Sequence, residues 1–157
     1  MTVKNDTLII GLGNEILTDD RVGIELVRIL KAKVRNADIA EAAVGGLELI
    51  QLMNGYRKVV IIDAIITGRH KIGSLITLTP EDFPHGSAMV RHQIGMNEAL
   101  ELGRRTGMDL PSEIIIYGVE VQEIMTFGES CTPEIARRIP ALARRILNDQ
   151  FGPQRQE

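Results

Sequence analysis

Residues 7–30 constrain the fold more than any other part of the sequence. The apolar run 7–11 is closed by glycines, and a short polar loop follows it that ends in two adjacent acids, Asp19 and Asp20. Apolar residues then recur at helical spacing over residues 22–34. A short continuous apolar run is typical of a strand buried on both faces, and the helical pattern predicts a helix packed against it. The stretch therefore predicts the first strand and helix of an α/β domain.

The same alternation of strand and helix continues along the chain. It predicts strands at residues 7–11, 38–44, 58–64, 73–79 and 112–119, and helices at residues 22–34, 47–53, 93–105 and 132–147. Alternating elements of this kind favour a three-layer α/β sandwich, with a mostly parallel, twisted sheet of five strands and helices on both faces. Ligands of such sheets bind beyond the carboxyl ends of the strands, where the strand order reverses. The acids that follow the first and third strands are expected to meet there.

Length and composition indicate one ordinary globular domain. The 157 residues are 44% hydrophobic and 25% charged, which predicts a single domain over 1–157 with a frayed tail at 152–157. A formal net charge of −3 gives no footprint for nucleic acid. No apolar run approaches the roughly 20 residues that span a bilayer. Nucleic-acid and membrane partners are therefore not expected.

Cysteine content and the first residues bear on the compartment. One cysteine, Cys131, rules out an internal disulfide and a cysteine-based metal cluster. Residues 2–6 lead directly into the first strand, so no signal peptide is expected. A cytoplasmic location fits both observations. Cys131 also precedes a predicted helix start, which would lower its thiol pKa, although a packed, unreactive cysteine explains the residue more simply.

The glycine turn after the first strand raises the alternative of nucleotide binding. The segment Gly11-Leu-Gly-Asn-Glu-Ile16 has two glycines of a dinucleotide fingerprint but isoleucine in place of the third. Asp19 and Asp20 would also stand at the helix N-terminus, where a pyrophosphate would bind, and would repel it. A nucleotide-binding or accessory binding module on a Rossmann-like fold is therefore kept only as the alternative.

Carboxylates and a histidine supply the candidate metal ligands. Asp19 and Asp20 have a simpler explanation as acids that stabilise a helix N-terminus. Asp63 closes a buried apolar run, where a carboxylate is costly unless a cation or backbone N–H groups contact it. His92 stands just before a predicted helix and is structural in the simpler interpretation. Together, two carboxylates and one imidazole are a suitable ligand set for a first-row divalent metal.

Several motifs in the same order resemble the hydrogenase maturation proteases, endopeptidases that process the large subunit of nickel–iron hydrogenases. They are Gly11-Leu-Gly-Asn14 with Thr18-Asp-Asp20 and Val22-Gly23, then Ile61-Ile-Asp-Ala64, His92-Gln-Ile-Gly95, Tyr117-Gly-Val119 and Thr132-Pro133. The resemblance covers most of the chain. It implies the fold described above and a single peptide-bond hydrolysis that removes a C-terminal extension from the large-subunit precursor after nickel insertion.

The resemblance also assigns roles to residues. It implies that Asp20, Asp63 and His92 form the catalytic and metal-binding set. Asp19 and Asn14 are expected to support these ligands rather than to bind metal. The cofactor would be nickel, either resident or carried by the substrate, and the partner would be the large-subunit precursor, processed by a monomer.

Two positions depart from the family pattern. Many members have glycine after the acid pair, where this chain has Arg21. The loop after the second strand commonly contains Asp-Gly-Gly-Thr, whereas this chain has Glu41-Ala-Ala-Val44 and then Gly45 and Gly46. That loop borders the family's cleft and is linked to substrate choice, so Gly45 and Gly46 are predicted to contact the substrate.

Overall fold

The computed structural model describes residues 5–43, 46–82, 96–122 and 126–153. Its strands are β1 (Thr7–Leu12), β2 (Asp38–Ala42), β3 (Lys58–Ile65), β4 (Leu75–Leu78) and β5 (Glu113–Glu120). Its helices are α1 (Val22–Lys33), α2 (Gly46–Met53), α3 (Met96–Arg105) and α4 (Pro133–Phe151), with short 3-10 helices at Asp19–Arg21 and Pro80–Asp82. Every predicted strand and helix is present. Among the described residues, no helix is long and apolar enough to cross a lipid bilayer.

The five strands form one sheet in the order β2-β1-β3-β5-β4. The first four of these strands run parallel, and β4 pairs antiparallel with β5 at the edge. The predicted mostly parallel five-stranded sheet is confirmed. Because β2 lies on one side of β1 and β3 on the other, the order reverses between β1 and β3, and this is where such sheets bind ligands.

Helices cover both faces of the sheet, as predicted. On one face α1 and α4 bury Leu26, Val27, Leu142 and Ile146 against alternate strand residues such as Ile9, Val60 and Val119. On the other face α2 and α3 bury Leu49, Ile50, Ala99 and Leu100 against Ile10, Val59 and Ile61. The strands of the sheet centre are therefore apolar on both sides, which explains their continuous runs of β-branched residues.

Several predicted boundaries differ from the structure. The second strand ends at Ala42, two residues earlier than expected, and α4 continues to Phe151 through Pro140. The predicted start of α3 at residue 93 lies outside the described residues, which resume at Met96. Thr132 is the N-cap of α4, but its hydroxyl makes no cap hydrogen bond. That hydroxyl bonds to Asp19 instead, as described below.

Candidate active site

The loop between β1 and α1 brings the acid pair to the carboxyl edge of the sheet. Asp19 and Asp20 lie in a 3-10 helix that packs against β3 and leads directly into α1. Gly23, in the first turn of α1, touches both strands so closely that a Cβ there would overlap the carbonyl oxygen of Ile62. The start of α1 is thus pressed onto the ends of β1 and β3, at the point where the strand order reverses.

Asp20 is buried, with 1% of its surface exposed. Its Oδ2 accepts a hydrogen bond from the backbone N–H of Asn14 at 3.1 Å. Gly13, the preceding residue, has φ of +152°, and a Cβ at that position would overlap the backbone carbonyl oxygen of Asp20. Only glycine lets the chain pass this close. The glycine turn therefore brings the N–H of Asn14 to a carboxylate oxygen of Asp20. The supporting role of Asn14 at a metal site stays a prediction.

Asp63 is fully buried near the end of β3. It lies opposite Gly118 of β5, and its Oδ1 accepts a hydrogen bond from the N–H of Ala64 at 2.8 Å. Side chains alternate along a strand, so Asp63 points to the same face as Val59 and Ile61, the face covered by α2 and α3. Asp63 and the Asp19–Arg21 turn therefore lie at the same edge of adjacent strands.

Asp19 is buried too, but its carboxylate is used to join two loops. Its Oδ1 accepts a hydrogen bond from the N–H of Thr132 at 2.8 Å, and its Oδ2 accepts one from the Thr132 hydroxyl at 3.0 Å. Thr132 is the N-cap of α4, so Asp19 places a negative charge at the N-terminus of that helix, where it is favourable. The capping interpretation of Asp19 thus applies to α4 rather than to its own helix.

The remaining predicted residues are partly outside the described chain. His92 and Gly45 lie outside it, and Gly46 is the first residue of α2. Within residues 5–43, 46–82, 96–122 and 126–153, no three His, Cys, Asp or Glu side chains are grouped so that they could hold a metal ion. The set of two carboxylates and His92 therefore stays a prediction.

Cys131 differs from the reactive-thiol interpretation. It is buried beside the start of α4, and burial raises the pKa of its thiol to about 12, with the carboxylates of Glu25 and Asp19 acting in the same direction. Burial is the largest cause of this rise in the thiol pKa. Cys131 is a packed cysteine, not a nucleophile.

Arg21 has contacts that its sequence neighbourhood does not predict. It is buried, and its Nε lies 2.9 Å from Oε1 of Glu25 as an ion pair that is not aligned for a hydrogen bond. Its Nη1 donates a hydrogen bond to the carbonyl oxygen of Gly128 at 3.1 Å. Arginine at this family-divergent position thus ties the acid-bearing turn to the 126–130 segment. No local sequence pattern indicates a contact across 107 residues.

Glu120 is a second buried acid at the end of a strand, because it ends β5 as Asp63 nearly ends β3. Its carboxylate accepts hydrogen bonds from the N–H and the hydroxyl of Thr67. The pattern that identifies Asp63, an acid closing a buried strand, also applies to Glu120. Its bonds hold the loop after β3 in place.

Comparison with known proteins agrees with this architecture. The family model described as hydrogenase maturation protease matches residues 21–149. The hydrogenase 2 maturation protease of Escherichia coli K12 is 28% identical over 145 residues, covering 89% of this chain and 87% of the relative. The hydrogenase expression/formation protein HupD of Thiocapsa roseopersicina is 29% identical, covering 94% of this chain and 69% of the relative.

Solved structures agree as well. The hydrogenase maturating endopeptidase HybD from E. coli superposes with a TM-score of 0.76 at 25% identity, covering 91% of this chain and 90% of that one. The [NiFe] hydrogenase maturation protease HybD from Thermococcus kodakarensis gives a TM-score of 0.69 at 26% identity, covering 91% and 97%. The alternative of a nucleotide-binding or accessory module is not favoured. With the family model matching most of its length, this chain belongs to the hydrogenase maturation protease family and is a peptidase that matures hydrogenase.

Proposed function

We propose that this peptidase removes the C-terminal extension of the precursor of a nickel–iron hydrogenase large subunit, once nickel has been inserted. The observation that carries the proposal is the pair of buried aspartates, Asp20 and Asp63, at the reversal point of a fold shared with hydrogenase maturation endopeptidases. The similar structure from Thermococcus kodakarensis is described as a [NiFe] hydrogenase maturation protease. We place the reaction in the cytoplasm and assign it to a monomer.

Asp20, Asp63 and His92 are proposed to contact the nickel that the precursor carries. Oxygen and imidazole nitrogen are suitable ligands for a first-row divalent ion. His92 stands four residues before Met96, where α3 begins. Because α3 leads into the parallel strand β5, it starts near the carboxyl edge of the sheet, and it packs on the face to which Asp63 points. The position of the start of α3 therefore supports His92 as the third ligand.

The protein's own contribution is to hold the two carboxylates in fixed positions. The N–H groups of Asn14 and Ala64 each orient one carboxylate oxygen. Each carboxylate is thereby held in one orientation at the carboxyl edge of the sheet, where a cation would bind. A divalent cation at this edge would polarise a peptide carbonyl or lower the pKa of a water molecule.

The glycines after β2 are proposed to contact the precursor backbone. Gly46 opens α2, which covers the same face of the sheet as Asp63. Glycine at residues 45 and 46 leaves no side chain between that loop and an incoming polypeptide. We therefore assign Gly45 and Gly46 to substrate binding.

Replacing Asp63 by asparagine tests the proposal. Asp63→Asn keeps the shape of the side chain but removes its charge, so we expect cleavage of the nickel-loaded precursor to fall at least about a hundredfold, on the scale known for lost catalytic contacts. Precursor and product are followed by intact mass, and circular dichroism checks that the variant is folded.

Asp109→Asn is the matched control, because Asp109 is an exposed aspartate in the turn between α3 and β5. It is expected to cleave at the wild-type rate. If folded Asp63→Asn cleaves the precursor as fast as this control does, Asp63 does not contact the metal and the proposal is wrong.

A further inference from the structure

Two large apolar side chains protrude beside the acid-bearing loop. Phe127 is 75% exposed and Ile16 is 56% exposed, the two most exposed large hydrophobic residues in the described chain. Both line one surface groove, which we call the Ile16–Phe127 groove; its walls are Glu15, Ile16, Arg21, Phe127, Gly128 and Glu129. Single exposed hydrophobic residues are common, but adjoining ones that line a groove indicate a binding surface.

The groove is held in shape by backbone hydrogen bonds. Leu17 and Phe127 form an antiparallel β-bridge. On either side of it, the N–H of Thr18 donates to the carbonyl of Thr126 at 2.9 Å, and the N–H of Gly128 donates to the carbonyl of Ile16 at 3.0 Å. A preformed surface loses little conformational entropy when a partner binds, so apolar side chains presented in this way contribute to affinity.

The charges in the groove leave a net negative site. Arg21 is paired with Glu25 at 2.9 Å, and Glu15 accepts a hydrogen bond from Arg28 at 2.9 Å. Glu129 is exposed and forms no ion pair with any residue in the described parts of the chain. A partner that seats an apolar side chain between Ile16 and Phe127 would therefore gain from a basic residue facing Glu129.

The groove lies beside the loop that carries Asp20. Arg21 in its wall directly follows Asp20, and the Asn14 backbone that holds Asp20 lies next to Glu15. A polypeptide lying in the groove would thus contact Arg21 and Glu15, the chain neighbours of Asp20 and Asn14. A binding site for a partner unrelated to the cleavage reaction would not need to lie beside the loop that carries Asp20.

We infer that the Ile16–Phe127 groove binds a segment of the hydrogenase precursor that carries an apolar side chain and a neighbouring lysine or arginine. The inference rests on the proposed function. It adds a docking contact outside the metal ligands, which would select the precursor and orient it toward Asp20. In this scheme Phe127 supplies apolar contact area, and Glu129 supplies charge.

Steady-state cleavage of the nickel-loaded precursor tests the groove. Phe127→Ala is expected to raise KM about tenfold while kcat stays within about twofold, because the contact is made equally in the bound substrate and in the transition state. Glu129→Lys is expected to raise KM as well, and the increase should shrink as salt is added. Unchanged KM in folded Phe127→Ala would overturn the inference.

Matched controls lie far from the groove. Leu102→Ala removes another exposed large apolar side chain, 45% exposed, from α3, and Glu113→Lys makes the same charge change at the amino end of β5. Both are expected to keep the wild-type KM. If Phe127→Ala instead abolishes a homodimer seen by sedimentation and leaves KM unchanged, the groove binds a second copy of the chain and the inference is wrong.

Precursor binding to Asp63→Asn, with and without Phe127→Ala, separates failure of the inference from failure of the proposed function. Binding that weakens with Phe127→Ala supports the groove even if the wild type cleaves nothing. Cleavage by the wild type with equal binding by both variants supports the proposed function and refutes the groove.

Discussion

At the scale of single residues, two neighbouring acids have different tasks. Asp19 accepts two hydrogen bonds from Thr132, 113 residues away, whereas Asp20 is oriented by Asn14 within its own loop. The sequence predicts that the pair lies at the sheet edge, because the strand and helix around it are strongly patterned. It does not show that Thr132 contacts Asp19, since no periodicity links an irregular loop to a distant helix start.

Replacing Asp19 tests this division of tasks. Asp19→Ala leaves the N–H and hydroxyl of Thr132 without their acceptor, so we expect the free energy of unfolding to fall by about 1–3 kcal/mol. Urea unfolding measures the change. Exposed Asp109→Ala should stay within about 0.5 kcal/mol of the wild type. An Asp19→Ala variant as stable as that control would show that the contact with Thr132 contributes nothing.

Gly13 provides a second prediction at this scale. In Gly13→Ala the new Cβ meets the Asp20 carbonyl, so the acid turn must move and cleavage activity is expected to fall sharply. Gly107→Ala is the control, because Gly107 also has positive φ but a Cβ added there would meet no atom within 4 Å. Gly13→Ala should be less stable than this control by about 1–3 kcal/mol. Equal stability and full activity would contradict the close approach.

At the scale of elements, Arg28 of α1 connects the loop after β1 to the end of β2. Its Nε and Nη2 donate to the two carboxylate oxygens of Glu41 at 3.1 and 2.8 Å, and Nη2 also donates to Glu15 at 2.9 Å. Glu41 begins the stretch that departs from the family pattern. An arginine–carboxylate pair with two hydrogen bonds fixes both loops more firmly than a single contact would.

This connection has a predictable pH dependence. The hydrogen bonds from Arg28 lower the pKa of Glu41 below its ordinary value of 4.5. A lowered folded-state pKa stabilises the protein above the unfolded-state value, and the contribution is lost as pH falls through the folded-state value. Arg28→Gln should therefore lower the free energy of unfolding at neutral pH, by no more than about 1 kcal/mol because the ion pair is exposed. The decrease should be smaller at about pH 3.

Urea unfolding of the wild type and Arg28→Gln at both pH values measures the difference, and Arg35→Gln, a change at an exposed arginine just beyond α1, serves as the control. If the difference in free energy of unfolding between the wild type and Arg28→Gln grows as pH falls, the prediction for this ion pair is wrong.

The elements themselves were predictable where hydrophobic patterning is strong. The runs in β1, β3 and β5 have buried residues on both sides of the sheet, so burial and sequence agree through their central residues. Ends were less predictable, because the last residues of an element depend on tertiary contacts. The end of β2 is one example. Its last residue, Ala42, accepts a hydrogen bond at its carbonyl from the N–H of Gly13, just beyond β1.

At the scale of the whole molecule, the site is a consequence of topology. Parallel strands place their carboxyl ends at one edge, and the reversal between β1 and β3 opens that edge to a ligand. The strand pattern and the family resemblance therefore predicted that Asp20 and Asp63 lie at this edge of the sheet, and their role as metal ligands stays a prediction. The Ile16–Phe127 groove could not be predicted, because it is built from two irregular segments joined by backbone hydrogen bonds.

The most direct test of the proposed function compares nickel-loaded with nickel-free precursor. Each is incubated with the purified wild-type protein, and the products are weighed by mass spectrometry. We predict one cleavage in the loaded precursor, releasing a single peptide from its C-terminus, and no cleavage of the nickel-free form. Equal cleavage of both forms, or no cleavage of either, would contradict the proposal.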